Sequence, residues 1–266
     1  VSLSDMQHPR IIDTHCHLDL PAFDPDRDQV IRHAREQGVA AFVVPGVTCA
    51  GWDHLLSVQQ QFHEIHIALG LHPMFMQEHK PQHLEKLDQY LTNHEAVAVG
   101  EIGLDFYIPD ADRPAQTALF CQQLEIATQH QLPVIIHSRK SQDAILQQIK
   151  AVSFDQGGIM HAFNGSLQQA QQFIDLGFKL GFGGMLTFER SSKLRKLATT
   201  LPLDALVLET DAPDMTVASH QGERNSPEYL PEVLQTLANI RPENIEQIAA
   251  QIYHNSIEVL RLPLAE

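Results

Sequence analysis

Short apolar runs bounded by polar, glycine or proline residues alternate along the chain with stretches whose apolar positions recur at helical spacing. The runs are Arg10 to His17, Ala40 to Val47, Ile65 to Leu71, Ala96 to Glu101, Pro133 to His137, Gly158 to His161, Phe178 to Gly183 and Leu206 to Asp211. Successive runs end roughly 22–36 residues apart, which leaves room for one loop, one helix and one further strand. Val97-Ala98-Val99, Val134-Ile135-Ile136 and Leu206-Val207-Leu208 are continuously apolar rather than alternating. A parallel strand covered on both faces requires that pattern. Eight such strands predict an α/β chain folded as a (β/α)8 TIM barrel, a single domain over residues 1–266, against a typical barrel of about 250 residues. The competing architecture is an open doubly wound sheet. It calls for a glycine-rich phosphate turn after the first strand, where His15-Cys16-His17 stands instead.

The helices between the runs have readable ends. Asp28 to Gln37 places Val30, Ile31 and Ala34 on one face and stops at Gly38, the usual left-handed cap residue. Ser226 before Pro227 reads as an N-cap with proline at the first helical position. From about Pro242 a last helix aligns Ile245, Ile248, Ala249, Ile252 and Val259 in a single stripe.

Composition narrows the function classes. At 43% hydrophobic the chain can bury a large core, and its 18 basic against 33 acidic residues give a net charge of −15. Such a surface repels polyanions, which argues against a protein that coats DNA or an anionic membrane. The three cysteines, Cys16, Cys49 and Cys121, form no C-x-x-C pair, so neither a disulfide scaffold nor a thiolate zinc knuckle is expected. With no signal-like or membrane-spanning apolar run, the expected setting is cytoplasmic, without a membrane and without an obligate protein partner. The 16 histidines are an unusually large share, and imidazole is the commonest metal-binding side chain.

Metal-ligand residue types fall at the carboxyl ends of the apolar runs, where barrel enzymes place their chemistry. His15 and His17 follow Ile11-Ile12, Glu101 follows Val97-Ala98-Val99, His137 follows Val134-Ile135-Ile136, His161 follows Ile159-Met160, and Glu209 and Asp211 follow Val207-Leu208. Side chains two apart on a strand share a face, so His15 and His17 are expected to face the barrel mouth together while Cys16 points away. Any one of these residues is as well explained by a hydrogen-bonded structural role. The set is not, because burying so many polar groups together without a cation costs several kcal/mol each. Nitrogen and oxygen donors without thiolate suit zinc, manganese or, where carboxylates dominate, magnesium. A mononuclear site needs three or four donors, so His15, His17, Glu101, His137, His161 and Asp211 point to two divalent ions about 3.5–4 Å apart.

Six motifs in order resemble those of the TatD-type metal-dependent hydrolases and deoxyribonucleases, a branch of the amidohydrolase superfamily of barrels, over nearly the whole chain. They are Asp13-Thr14-His15-Cys16-His17-Leu18-Asp19, Gly70-Leu71-His72-Pro73, Gly100-Glu101-Ile102-Gly103-Leu104-Asp105, His137-Ser138-Arg139, His161-Ala162-Phe163-Asn164-Gly165 and Glu209-Thr210-Asp211-Ala212-Pro213. The wording at 166–170 and 210–215 further resembles the YjjV-like subgroup. Gly222 to Pro227 only approximates the family's R-N-x-P segment.

The resemblance implies that His15, His17 and Asp211 hold one ion, that His137 and His161 complete the shell of the second, and that Glu101 bridges the two. It implies a hydroxide generated between the ions, with Asp211 as general base. His72 and Arg139, just past the third and fifth strands, are expected to grip a phosphate, the guanidinium bidentately. Glu209 is expected to orient a ligand histidine, and Asp19 and Asp105 to fix loops. Asp214 stands near the mouth, and Trp52 and Phe163 either stack on a base or belong to the core. The implied activity is a metal-dependent phosphodiesterase or deoxyribonuclease acting on DNA fragments, single-stranded ends or small phosphodiesters. The acidic balance and the lack of a basic track in the sequence disfavour long duplexes. The same centre suits hydrolysis of carboxylic esters or amides, such as D-aminoacyl-tRNA, or of small phosphoesters. A metal-storing protein is the alternative outside catalysis, and it predicts a saturated ligand shell.

Overall fold

A computed structural model describes residues 9–263. Eight strands, β1 (Ile11–Asp13), β2 (Val39–Pro45), β3 (Ile65–Leu69), β4 (Ala96–Asp105), β5 (Val134–Arg139), β6 (Gly158–Met160), β7 (Phe178–Phe182) and β8 (Leu206–Leu208), form one sheet in sequence order. Every neighbouring pair is parallel. The intervening helices are α1 (Arg27–Glu36), α2 (Trp52–Gln61), α3 (Gln82–Asn93), α4 (Arg113–Gln129), α5 (Gln142–Ala151), α6 (Leu167–Asp175), α7 (Ser192–Thr200) and α8 (Leu230–Ile240), followed by α9 (Ile245–Leu260). The architecture is the (β/α)8 TIM barrel that the alternation predicts.

Hydrogen bonds just past the strand ends draw β1 against β8. The amide and hydroxyl of Thr14 both donate to the carbonyl of Leu208, at 3.1 and 2.9 Å. The Asp211 amide donates to the carbonyl of His15 at 2.8 Å. Asp13 accepts from the amide and the hydroxyl of Thr210, at 3.0 and 2.6 Å. The same contacts that close the barrel therefore set His15 beside Asp211.

Both sheet faces are dry, which explains the continuous apolar runs. Ile12, Val43, Ala68, Ala98, Ile135, Ile159 and Val207 pack together on the barrel interior. Their strand neighbours Ile11, Phe42, Val44, Ile67, Val99, Ile136 and Leu208 join the larger layer beneath the helices. Side chains alternate across a strand, so each strand feeds both layers. Tyr253, Ile257 and Leu260 of α9 pack with the interior set. The amide of Asn255 donates to the carbonyls of Leu203 and Leu206 at the start of β8, at 2.9 and 2.7 Å. Helix α9 thus covers the amino end of the barrel and leaves the carboxyl end as the open face.

Several local expectations meet the structure directly. Helix α1 gives way to Gly38 with φ of 94°, and α9 is opened by a reciprocal Asn244–Gln247 cap. Ser226 differs: Pro227–Tyr229 is a single 3-10 turn, no side-chain bond caps it, and α8 begins only at Leu230. The Ser226 hydroxyl is buried without a hydrogen-bond partner instead. Trp52 and Phe163 belong to the core, at 0% and 2% exposure, and Trp52 spends its indole N–H on the carbonyl of Gly70. Neither ring is open for stacking on a base. Among the described residues no helix is long and apolar enough to cross a membrane.

Candidate metal centre

At the open face the six predicted donors converge. Strand β1 ends at Asp13, so His15 and His17 stand on the segment beyond it rather than on a shared strand face. They still converge, with Nε2 atoms 3.3 Å apart, while Cys16 turns into the core. His15 Nε2 lies 3.2 Å from Glu101 Oε2 and 3.6 Å from Asp211 Oδ1. His17 Nε2 lies 3.7 Å and 3.5 Å from the same two oxygens. A tetrahedral ion with bonds of about 2.0–2.1 Å requires donor atoms roughly 3.3 Å from one another. The His15 and His17 nitrogens stand near that spacing from each other and from one oxygen each of Glu101 and Asp211, so the residues fit a divalent ion.

The other oxygen of Glu101 faces a different group. Oε1 lies 3.3 Å from His137 Nδ1 and 3.2 Å from His72 Nε2. Glu101, at the middle of β4 and 3% exposed, therefore presents one oxygen to each of two donor clusters. His161 sits opposite, with Nε2 3.6 Å from Asp211 Oδ2 and its ring stacked on His15 at 3.6 Å between centroids. Within ligand distance the second oxygen of Glu101 is thus shared by His137 and His72, while His161 groups with His15 and Glu101.

A further layer of acids fixes the rings. Asp105 Oδ2 accepts from His137 Nε2 at 2.9 Å, which leaves the Nδ1 lone pair aimed at the Glu101 side. Orienting carboxylates of this kind set both tautomer and basicity of a ligand histidine. Glu209 Oε1 lies 3.0 Å from His161 Nδ1 and accepts from the amide of Ala162 at 2.6 Å. Asp105 therefore does more than fix a loop, whereas Glu209 stands beside His161 at ion-pair distance without a hydrogen bond to it. Asp13, which the sequence offered only as part of a motif, accepts from the His15 amide at 3.3 Å as well as from Thr210. Burial outweighs those bonds and pushes its pKa up to about 7.

His72 is distinguished by its other nitrogen. Its Nδ1 accepts from the amide of Met74 at 3.0 Å, so in the neutral ring the proton resides on Nε2. That nitrogen is a donor toward Glu101. Arg139 lines the same cavity, half exposed, with its guanidinium over the Tyr107 ring at 4.1 Å and 3.8 Å from Asp105. Asp214 also lines the cavity, whose volume is about 530 Å³. The Gly222 to Pro227 segment is a fastener: Arg224 makes a bidentate pair with Asp26, and the Asn225 amide donates to the carbonyls of Thr210 and Asp214.

Electrostatics reveal what the cluster needs. Burial alone would raise Glu101 and Asp211, yet the surrounding histidines hold both carboxyls below the usual range. Burial likewise opposes charge on His17, but Asp211, Glu101 and Asp19 overcome it and push its pKa up to about 9. His161 is raised well above its ordinary value by Glu209 and Asp211 against the same opposition, while burial and the neighbouring His161 lower His15. Imidazolium protons here supply the positive charge that buried carboxylates demand, a place a metal cation takes naturally. His15 Nδ1 and Glu209 Oε2 remain buried without hydrogen-bond partners.

The sequence pattern of the family described as TatD related DNase matches residues 12–261. YjjV of Escherichia coli K12, an uncharacterized metal-dependent hydrolase, is 39% identical over 256 residues, covering 96% of this chain and 99% of that protein. An uncharacterized metal-dependent hydrolase of Haemophilus influenzae Rd is 40% identical, covering 93% and 98%. The crystal structure of the Escherichia coli YjjV protein superposes with a TM-score of 0.92 at 38% identity, covering 96% of this chain and 99% of that one. A TatD family hydrolase from Entamoeba histolytica, at 19% identity and a TM-score of 0.84, shares the fold. With a family match across nearly its full length and a site of imidazoles and carboxylates at metal-ligand spacing, the chain belongs to the TatD family of metal-dependent hydrolases.

Proposed function

We propose that the centre holds two divalent ions and hydrolyses phosphodiester bonds, with DNA fragments or single-stranded DNA ends as substrate. The observation that carries this reading is the two-sided presentation of Glu101, whose Oε2 faces His15 and His17 while Oε1 faces His137 and His72. His15, His17 and Asp211 would hold the first ion, His137 and His161 the second, and Glu101 would bridge. When bound, the ions supply Lewis acidity and lower the pKa of water at the mouth.

The chain's own residues do the rest. Asp211, a carboxylate held ionised and 18% exposed at the cavity, is placed to take a proton from attacking water. His72, with its proton fixed on Nε2, would donate to a phosphate oxygen in place of Glu101 once that carboxylate is engaged by the ions, and Arg139 offers a planar guanidinium to the same group. Asp105 keeps His137 from turning by its hydrogen bond, and Glu209 sets a negative charge 3.0 Å from His161. Preorganised donors of this kind stabilise charge as it develops on phosphorus oxygens.

Elemental analysis of protein purified without added metal, followed by turnover of a bis-aryl phosphodiester and an aryl acetate with Mg²⁺, Mn²⁺ or Zn²⁺, tests the reading. Preferential phosphodiester cleavage is expected. Preference for the acetate would transfer the centre to carboxylic ester or amide substrates.

His72→Ala and Arg139→Ala are each expected to lower phosphodiester kcat/KM roughly 10–100-fold, the worth of one hydrogen bond to a charged group, at unchanged metal content. Metal lost on His72→Ala would make His72 a ligand instead.

Metal affinity is expected to rise with pH. His17, with a pKa of about 9 in the metal-free centre, holds its proton at neutral pH and must release it to ligate. Each displaced proton strengthens binding by up to about tenfold per pH unit, and acidification weakens it. Calorimetric titration of the metal-free protein at several pH values, in buffers of different ionisation enthalpy, measures the proton count; an affinity independent of pH would contradict this protonation state.

A further inference from the structure

A second cavity, of about 510 Å³, opens beside the metal cavity and shares Ala162, Asn164 and Met215 with it as a common wall. Its size falls within the roughly 300–1,000 Å³ range of small-molecule sites. The floor is apolar, lined by the partly exposed Met185 and Leu194 over the buried Phe182 and Leu197. The outer wall is cationic, carrying Arg190 from the link after β7 and Lys193 from the first turn of α7.

These two residues belong to a stretch, Arg190 to Lys196, that holds four of the chain's 18 lysines and arginines: Arg190, Lys193, Arg195 and Lys196. Nowhere else in the sequence do more than two fall so close together. In a chain of net charge −15, the densest positive segment thus lies along the rim next to the candidate metal centre. The Lys193 ammonium donates to the carbonyl of Asn164 at 2.6 Å, which holds it on the shared wall. The Arg190 guanidinium lies over the Phe188 ring at 4.7 Å, an arrangement that keeps its N–H edge free for an anion.

We propose that this cavity binds the nucleotide adjoining the scissile phosphate of a single-stranded nucleic acid, with the base on the apolar floor and the next phosphate on Arg190 and Lys193. The inference rests on the phosphodiesterase reading of the neighbouring centre. An apolar floor beside a cationic edge is how single strands are held without sequence preference. A paired base cannot reach that floor without leaving its stack, so the site selects single strands or frayed ends.

The test compares wild type with Arg190→Ala/Lys193→Ala and with Lys193→Glu, both changing exposed side chains. Binding of a 5′-labelled single-stranded oligothymidylate to the metal-loaded protein is followed by fluorescence anisotropy across a salt series. Turnover of a bis-aryl phosphodiester is measured in parallel. The double variant is expected to bind at least about tenfold more weakly, and its log–log salt slope to fall by about 0.7 for each lost cation. Bis-aryl turnover and melting temperature stay at the wild-type values. Ser192→Trp, which fills the cavity from an exposed position, is expected to weaken oligonucleotide binding with the salt slope retained. Unaltered affinity and slope in the charge variants overturn the inference while leaving the phosphodiesterase reading in place. A wild-type protein that cleaves no bis-aryl phosphodiester with any of the three ions overturns that reading, and the inference with it.

Discussion

On the proposed reading, Glu101→Ala is expected to abolish phosphodiester turnover and to lower bound metal from the proposed two ions per chain to one or none. The carboxylate is buried, with one oxygen 3.2 Å from His15 and the other 3.3 Å from His137, and among the described residues no other acid spans both groups. Removing it separates the two halves of the centre and takes away Lewis-acid stabilisation worth several kcal/mol, hence roughly a thousandfold or more in rate. Glu101→Gln preserves the volume but leaves an amide nitrogen where one ligand oxygen stood, so it should keep the fold while losing nearly as much turnover. Metal content by elemental analysis and kcat on the bis-aryl phosphodiester decide the matter together. A variant that retained both would remove Glu101 from the bridging place.

Asp211→Asn is expected to lower kcat by about 10²–10⁴-fold, the usual contribution of a general base, with the barrel intact. The choice of asparagine follows from the backbone. Asp211 has φ of 58°, in the left-handed region where asparagine is nearly as comfortable as aspartate and alanine is not. Asp211→Ala should therefore lose about 1–2 kcal/mol of stability in addition to activity. Urea denaturation of the two variants, set beside their kinetics, separates the chemical loss from the conformational one. Wild-type kcat in Asp211→Asn would assign the proton transfer to another group.

The two substitutions also distinguish the layers of the site. Glu101 sits within β4, where strand geometry fixes it, whereas Asp211 lies past the end of β8 and is held by its amide bond to His15 and by the Asn225 anchor on Thr210 and Asp214. Loss of the Asn225 anchor should act on catalysis only through the position of Asp211. Asp13 plays the corresponding part for His15, linking its amide to Thr210 across the β1–β8 seam.

How much of this was legible beforehand depends on the range of the interaction concerned. The barrel could be read because a parallel strand dry on both faces writes a continuous apolar run, and because each helix writes its own period and caps. The donors could be read because they directly follow those runs, so placing the strand places its carboxyl end. Where a signal was purely local it also misled. Ser226-Pro227 has the letters of a helix start, but the chain makes one 3-10 turn there before α8. His15 and His17 meet as expected, yet by the path of the segment after β1 and not by strand alternation.

The sequence by itself determined the eight-fold strand and helix alternation, the barrel, and the identity of the imidazoles and carboxylates at its open end, because hydrophobic period and strand-end position are local properties of the chain. Only the tertiary structure decided which oxygen of Glu101 faces which histidines, that the Met74 amide fixes the proton of His72 on Nε2, and that Asp105 and Glu209 stand behind His137 and His161. It also decided that Arg190 and Lys193, from the densest basic stretch of a chain of net charge −15, line the cavity beside the metal cavity. Those facts arise from contacts between segments far apart in the chain. Which distant groups meet is set by how the loops after different strands pack over one rim, and no period in the sequence encodes that packing.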